Sequence, residues 1–235
     1  MKAAFTLAEV LITLGIIGVV AAMTMPALIQ NHRRHVVETR LKNFYTTFNQ
    51  AIQLSEVRNG DKKDWYLDAS GVILDDDGKP IDSTSGIDNW FKTYLPDFII
   101  TKRKVLANGT VLYYLPNGSA FQFGNYNVTS LREISYYPSS NPEKCLKLQE
   151  QGKNIWGRCA FNFEYYPINN TYLGWRFLYN KGVEPCKFDW DGTLNGAKND
   201  SLRGCYSNGV GGGVYCTALI QYNGWKIPDD YPHRF

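Results

Sequence analysis

The first part of the chain would be apolar on all of its faces if it formed a helix. Residues 5–29 contain a single charged side chain, that of Glu9. As an α-helix this segment would be about 37 Å long, which exceeds the ~30 Å thickness of the hydrocarbon core of a bilayer. The pattern therefore predicts a membrane-spanning helix over residues 5–29.

From residue 30 the chain becomes polar but keeps the spacing of a helix. Apolar residues recur at steps of three and four, and charged or amide residues fill the positions between them. Asn59 and Gly60 are residue types that end helices. We expect one continuous helix whose second half, residues 30–58, is amphipathic. Its apolar stripe should pack on a globular domain; it comprises Val37, Leu41, Phe44, Phe48 and Ala51, and Val36 and Ile52 widen it.

Residues 59–235 have the pattern of a turn-rich β domain. Short β-rich runs alternate with turn residues, including Asn-Gly pairs at 108–109 and 117–118. The predicted fold class is α+β, in which the long N-terminal helix packs on an antiparallel sheet. A short helix is expected over 85–95 and a hairpin or loop over 72–81. The predicted strands are 98–106, 110–115, 120–123, 160–166, 173–179 and 214–222.

The five cysteines all lie in the last 91 residues, far from the apolar segment. No two of them have the Cys-x-x-Cys spacing of a zinc site. Two disulfides and one unpaired thiol, formed in an oxidising compartment, are the expected arrangement. The candidate pairs are Cys205 with Cys216, which flank a glycine-rich stretch, and Cys145 with Cys159. This choice leaves Cys186 unpaired, and other pairings stay open.

Composition and motifs argue against several other function classes. The net charge of +3 is small for 235 residues and predicts no nucleic-acid partner. The glycines at 209–213 lack the Gly-Lys-Ser/Thr of a phosphate loop, and no Gly-x-Ser-x-Gly is present. We expect no enzymatic activity, no cofactor and no metal site. The oxygen-rich run of Asp189, Asp191 and Asn195 is interpreted as an Asx-type turn, and a calcium loop stays open as the alternative.

Glu9 is the residue that does not fit a plain membrane anchor. A carboxylate inside a bilayer costs up to a few kcal/mol and persists where it finds a partner. The segment around it contains no Lys or Arg. A cation would arise if the chain were cut after Ala4, because Phe5 would then carry a free amine four residues from Glu9.

A short basic leader ends at Ala4 and is followed by Phe5-Thr-Leu-Ala-Glu9 and an apolar run that reaches Pro26. This order resembles the N-terminal signal of type IV prepilins and of the pseudopilins of type II secretion. The resemblance covers about the first 55 residues. The family usually has glycine where this chain has Ala4.

The resemblance implies a leader of residues 1–4, cleavage between Ala4 and Phe5 by a prepilin peptidase, and methylation of the Phe5 amine. Glu9 would be the carboxylate that docks subunits, and Pro26 would be the proline that kinks the family's helix. Residues 5–29 would form the core of a filament. The implied function is a structural subunit of a type IV pilus or of a secretion pseudopilus, and the sequence is compatible with both.

The implied partners are other copies of the chain, sibling pilins, the prepilin peptidase and the inner-membrane assembly platform. The chain would cross the bacterial inner membrane once, with its C-terminus outside, and then enter a periplasmic or extracellular filament.

Two other interpretations stay open. One is a secretory signal cleaved near Ala21-Ala22. The other is a membrane-anchored exported domain that binds a glycan or a protein and does not polymerise.

Overall fold

The computed structural model describes residues 6–66, 68–81, 83–124, 132–168, 172–179, 181–209 and 211–235. Its longest element is helix α1, Leu7–Asn59, with Thr6 as N-cap and Gly60 as C-cap. Gly60 has a φ of 75°, a left-handed value that glycine adopts without strain. The expected continuous helix is therefore confirmed. The predicted leader and Phe5 lie outside the described residues.

The globular part contains a six-stranded antiparallel sheet in which each strand pairs with the next along the chain. Tight turns place Gly109 and Gly118 at φ values of 81° and 80°, which explains the two Asn-Gly pairs. The expected meander and the α+β class are confirmed. The strands are β1 Lys102–Val105, β2 Val111–Tyr114, β3 Ala120–Phe123, β4 Arg132–Tyr137, β5 Phe161–Tyr165 and β6 Val183–Pro185.

The described residues contain four further α-helices. The expected short helix is confirmed as α2, where the Ser85 side chain accepts a hydrogen bond from the backbone N–H of Asp88. Two turns are 3-10 helices, Lys62–Asp64 and Leu173–Trp175. The helices are α2 Gly86–Tyr94, α3 Pro142–Glu150, α4 Leu194–Asn199 and α5 Cys216–Tyr222.

Two predicted strands are wrong. Residues 173–179 form a 3-10 helix and turns, because backbone N–H groups of the segment bond to carbonyls three or four residues earlier and not to a neighbouring strand. The Trp175 ring also stacks on that of Tyr166, with centroids 4.4 Å apart. Residues 214–222 contain α5, whose backbone bonds are satisfied within the helix and whose Cys216 is bridged to Cys205. The predicted strand over 98–106 is shorter than expected, and four elements were not predicted from the sequence: β4, β6, α3 and α4.

The core lies between the second half of α1, α2 and one face of the sheet. Phe44 of α1 stacks on Tyr136 of β4 with ring centroids 4.3 Å apart, and its ring lies 5.1 Å from that of Phe163 of β5. Ala51 is only partly buried, and Ile52 takes the core position at that turn. The helix stripe that packs here comprises Val37, Leu41, Phe44, Phe48 and Ile52.

Both expected disulfides are present. Cys145–Cys159 links α3 to the turn before β5, and Cys205–Cys216 links the loop after α4 to the start of α5. Cys186 is a free, buried thiol. The bridges pin the loop-rich segments that lie between and beyond the last strands.

Replacing both Cys205 and Cys216 by alanine should lower the free energy of unfolding by about 2–4 kcal/mol, because the bridge no longer restricts the unfolded chain. Urea unfolding of the full chain in detergent without reductant, which leaves Cys145–Cys159 intact, measures this. An unchanged unfolding midpoint would show that the bridge contributes nothing to stability.

Candidate functional site on the N-terminal helix

The first half of α1 lies wholly outside the globular domain. Val37 is the first buried residue of α1. The most apolar stretch of the helix, before Val37, has no residue that is buried within the protein. The helix is long and apolar enough to cross a membrane, although a signal sequence would pass the same criterion. Its exposed large apolar side chains are Leu7, Val10, Leu11, Ile12, Leu14, Ile16, Ile17, Val19, Val20, Met23, Met25, Leu28 and Ile29.

Glu9 has a local hydrogen-bond partner in Thr6, which the charge pattern of the sequence does not predict. Its Oε2 accepts hydrogen bonds from the backbone N–H and the hydroxyl of Thr6, at 2.9 and 2.8 Å. The Thr6 hydroxyl in turn accepts from the backbone N–H of Glu9, at 3.3 Å. This is a capping box, which the Thr-x-x-Glu spacing in the sequence could have indicated. A local hydrogen-bond partner, without any cation, is therefore already available to the carboxylate.

The other polar side chains of the segment are satisfied by the helix itself. The Thr13 hydroxyl donates to the carbonyl of Val10 at 2.9 Å, and that of Thr24 donates to the carbonyl of Val20 at 2.9 Å. Such internal bonds suit a helix in lipid, where no water is available. Pro26 lies inside α1, which continues to Asn59. The kink at Pro26 stays a prediction.

The C-terminal segment of the chain is hydrogen-bonded to α1 where the helix enters the domain. Arg34 donates to the carbonyl of Pro228 at 2.6 Å, and the carboxylate of Glu38 accepts from the backbone N–H of Ile227 at 2.9 Å. Burial raises the pKa of Glu38, but the bonds from Ile227 and Lys226 outweigh this and hold it below the ordinary value. These hydrogen bonds attach the C-terminal segment of the domain to the helix just beyond the apolar segment.

Glu164 is a buried carboxyl on the sheet that sequence reasoning missed. It lies opposite Glu133 of β4, and its Oε1 accepts a hydrogen bond from the Cys186 thiol at 3.3 Å. Burial raises the pKa of Glu164 to about 8, although the thiol bond lowers it and the Glu133 carboxylate adds to the rise. The residue is therefore protonated at neutral pH.

Glu164→Gln should flatten the dependence of stability on pH. The stabilisation from the protonated carboxyl is complete below the unfolded-state pKa of 4.5 and is lost as the pH rises through about 8. Between these values the wild-type free energy of unfolding should fall by about 1.4 kcal/mol per pH unit from this group. Urea unfolding of the full chain from pH 5 to 8 measures the slope. The exposed control Glu150→Gln should keep the wild-type slope, and an equally steep slope in Glu164→Gln would contradict the assignment.

The oxygen-rich run after β6 forms local turn contacts. Asp191 Oδ1 accepts from the backbone N–H of Thr193 at 2.8 Å, which is the Asx-type turn, and Thr193 caps α4. Asp189 accepts from the Tyr172 hydroxyl, and Asn195 accepts from Asn199. Within the part of the chain that the structure describes, no group of three His, Cys, Asp or Glu side chains could hold a metal ion.

The fold and the exposed helix define an α+β protein with an N-terminal candidate membrane segment. A family model matches residues 27–235, which are most of the chain. The chain therefore belongs to the family of unknown function DUF6613. The matched region begins directly after Pro26 and contains the docked half of α1 and the whole globular domain. No curated protein and no solved structure matches the chain.

Proposed function

We propose that the chain is a structural subunit of a type IV pilus-like or type II secretion pseudopilus filament. The observation that supports this function best is the apolar half of α1, which lies outside the domain and carries Glu9 as its only charge between residues 7 and 29. A surface this apolar must be covered by lipid or by another protein. Prepilin peptidase would cleave between Ala4 and Phe5 and methylate the Phe5 amine.

One helix could serve two environments in turn. In the bacterial inner membrane its apolar side chains contact lipid, with the domain and its disulfides outside. In a filament the same side chains pack against the helices of other copies and sibling pilins, supported by the assembly platform. The helix continues from this segment into the core of the domain, so the two are joined without a linker.

The second candidate is a membrane-anchored exported domain that binds a ligand without polymerising. A groove of about 550 Å³ beside α1 favours it, because this volume is within the range of small-molecule sites. Here the helix would be an anchor only. The two candidates differ in whether the chain forms multimers through its apolar segment.

Expression of the full chain with a pilus assembly system and its peptidase tests the proposal. We expect filaments in the sheared surface fraction that contain the chain. The control replaces residues 1–29 by a cleavable secretory signal and should release a folded, disulfide-bonded domain that enters no filament. A full-length chain that stays monomeric in the membrane under these conditions would favour the ligand-binding candidate.

A further inference from the structure

The groove of about 550 Å³ runs lengthwise along the exposed side of α1. Its helix wall extends from Asn43 to Asn59, and its other wall is the loop between α2 and β1 with the turn between β2 and β3. Leu54 and Ile99 on these walls are 65% and 69% exposed. The groove is therefore an apolar strip about 24 Å long.

The two ends of the groove differ in charge balance. At the end far from the apolar segment, Arg58 is paired with Asp97 at 2.6 Å. At the near end, the Arg40 guanidinium donates to the carbonyl of Asn117 at 2.6 Å and to that of Pro138. Within the described ranges Arg40 has no carboxylate at ion-pair distance. A fixed cation without a counter-charge thus lies at the near end.

The apolar segment of α1 has the complementary arrangement. Glu9 is a carboxylate at one end of an exposed apolar stripe, and its bonds to Thr6 use Oε2 alone. A carboxylate accepts bonds on both oxygens, so Oε1 can accept from a guanidinium. We infer that Glu9 of one copy docks on Arg40 of a second copy, whose groove receives the apolar stripe of the first.

The spacing along the helix supports this pairing. Arg40 follows Glu9 by 31 positions, which corresponds to a shift of about 46 Å along parallel helices. In that register Ile16, Val20 and Met23, all exposed and on one helix face, lie beside three residues that line the groove. Those groove residues are Thr47, Ala51 and Leu54.

The inference rests on the proposed function, because membrane insertion with the same orientation is what makes the two helices parallel. The contact joins the apolar stripe of one copy to the groove of another. Every copy has both surfaces, so each can contact two neighbours in this way. Such a heterologous contact builds an open helical assembly when its rotation does not close. The occupant of the groove is therefore a second copy of this chain.

Cross-linking in assembled filaments tests the register. The full chain with Ile16→Cys and Thr47→Cys, treated with a short maleimide cross-linker, should give a ladder of covalent multimers. The matched control pairs Ile16→Cys with Thr39→Cys, which is exposed but displaced by about 12 Å, and should give at least tenfold less. Filaments in which the control links as well as the test pair would overturn the inference and leave the proposed function intact. Absence of any filament would refute both.

Charge exchange tests the ion pair. Arg40→Ala should reduce assembly about tenfold, while the exposed control Arg33→Ala should assemble normally. Glu9→Arg and Arg40→Glu should each fail, and the double variant should recover at least part of the assembly. The unfolding midpoint of each variant identifies any loss of folding. If folded Arg40→Ala assembles like the wild type while Glu9→Ala does not, Glu9 pairs with another cation, such as the Phe5 amine, and the inference is wrong.

Discussion

Glu9→Ala should reduce assembly into filaments by about tenfold or more while leaving the globular domain folded. A charged hydrogen bond contributes about 1.5–3 kcal/mol, which is a factor of roughly ten or more in an equilibrium, and each subunit would lose at least one. Glu9 is far along α1 from Val37, the first buried residue, so the domain should not be destabilised. The amount of chain in the sheared surface fraction, relative to that in the membrane, measures the effect.

The capping box allows the charge of Glu9 to be separated from its role at the helix end. Glutamine also serves at this position of a capping box, so Glu9→Gln keeps the cap and removes the charge. We expect it to fail as Glu9→Ala does, whereas Thr13→Ala, one turn further along, should assemble normally. Normal assembly of Glu9→Gln would show that the cap, and not a docking charge, is what the residue provides.

Phe44→Ala should lower the free energy of unfolding of the domain by about 3–5 kcal/mol, since it leaves a cavity in the centre of the core. Phe44 is 2% exposed and its ring contacts those of Phe48, Phe121, Tyr136 and Phe163. These contacts hold the sheet on the helix. Urea unfolding of the full chain in detergent measures the loss.

Thr46→Ala is the matched control for the core substitution. Thr46 lies on the exposed side of α1, two residues beyond Phe44, and its replacement should change the free energy of unfolding by less than about 0.5 kcal/mol. If the two variants unfolded at the same urea concentration, the docking of the sheet on α1 through Phe44 would be wrong.

The long helix and the first hairpins could be predicted because local signals and tertiary packing agree there. The spacing of Leu41, Phe44 and Phe48 marks the buried face of α1, and the Asn-Gly pairs mark the two turns of the meander. Local propensity and the final contacts favour the same conformation at these positions. The strand boundaries of β3 were predicted exactly for the same reason.

Prediction failed where a short apolar run fits a strand and a helix equally well. Residues 214–222 form a mostly apolar run that suits a strand as well as a buried helix, but residues 216–222 fold as α5, which buries Leu219 in one core cluster and Ile220 in another. Glu164 was missed for a related reason: its burial depends on what covers the sheet, which the sequence of β5 does not encode. The groove depends on three separate segments and had no linear signal.

Identification of the N-terminal residue of the protein isolated from membranes or filaments tests the central claim most directly. The account predicts that the mature chain begins at Phe5 and that mass spectrometry of its first peptide shows a methylated α-amine. A chain that begins at Met1, or one that begins near Met23 after cleavage by a secretory signal peptidase, would contradict it.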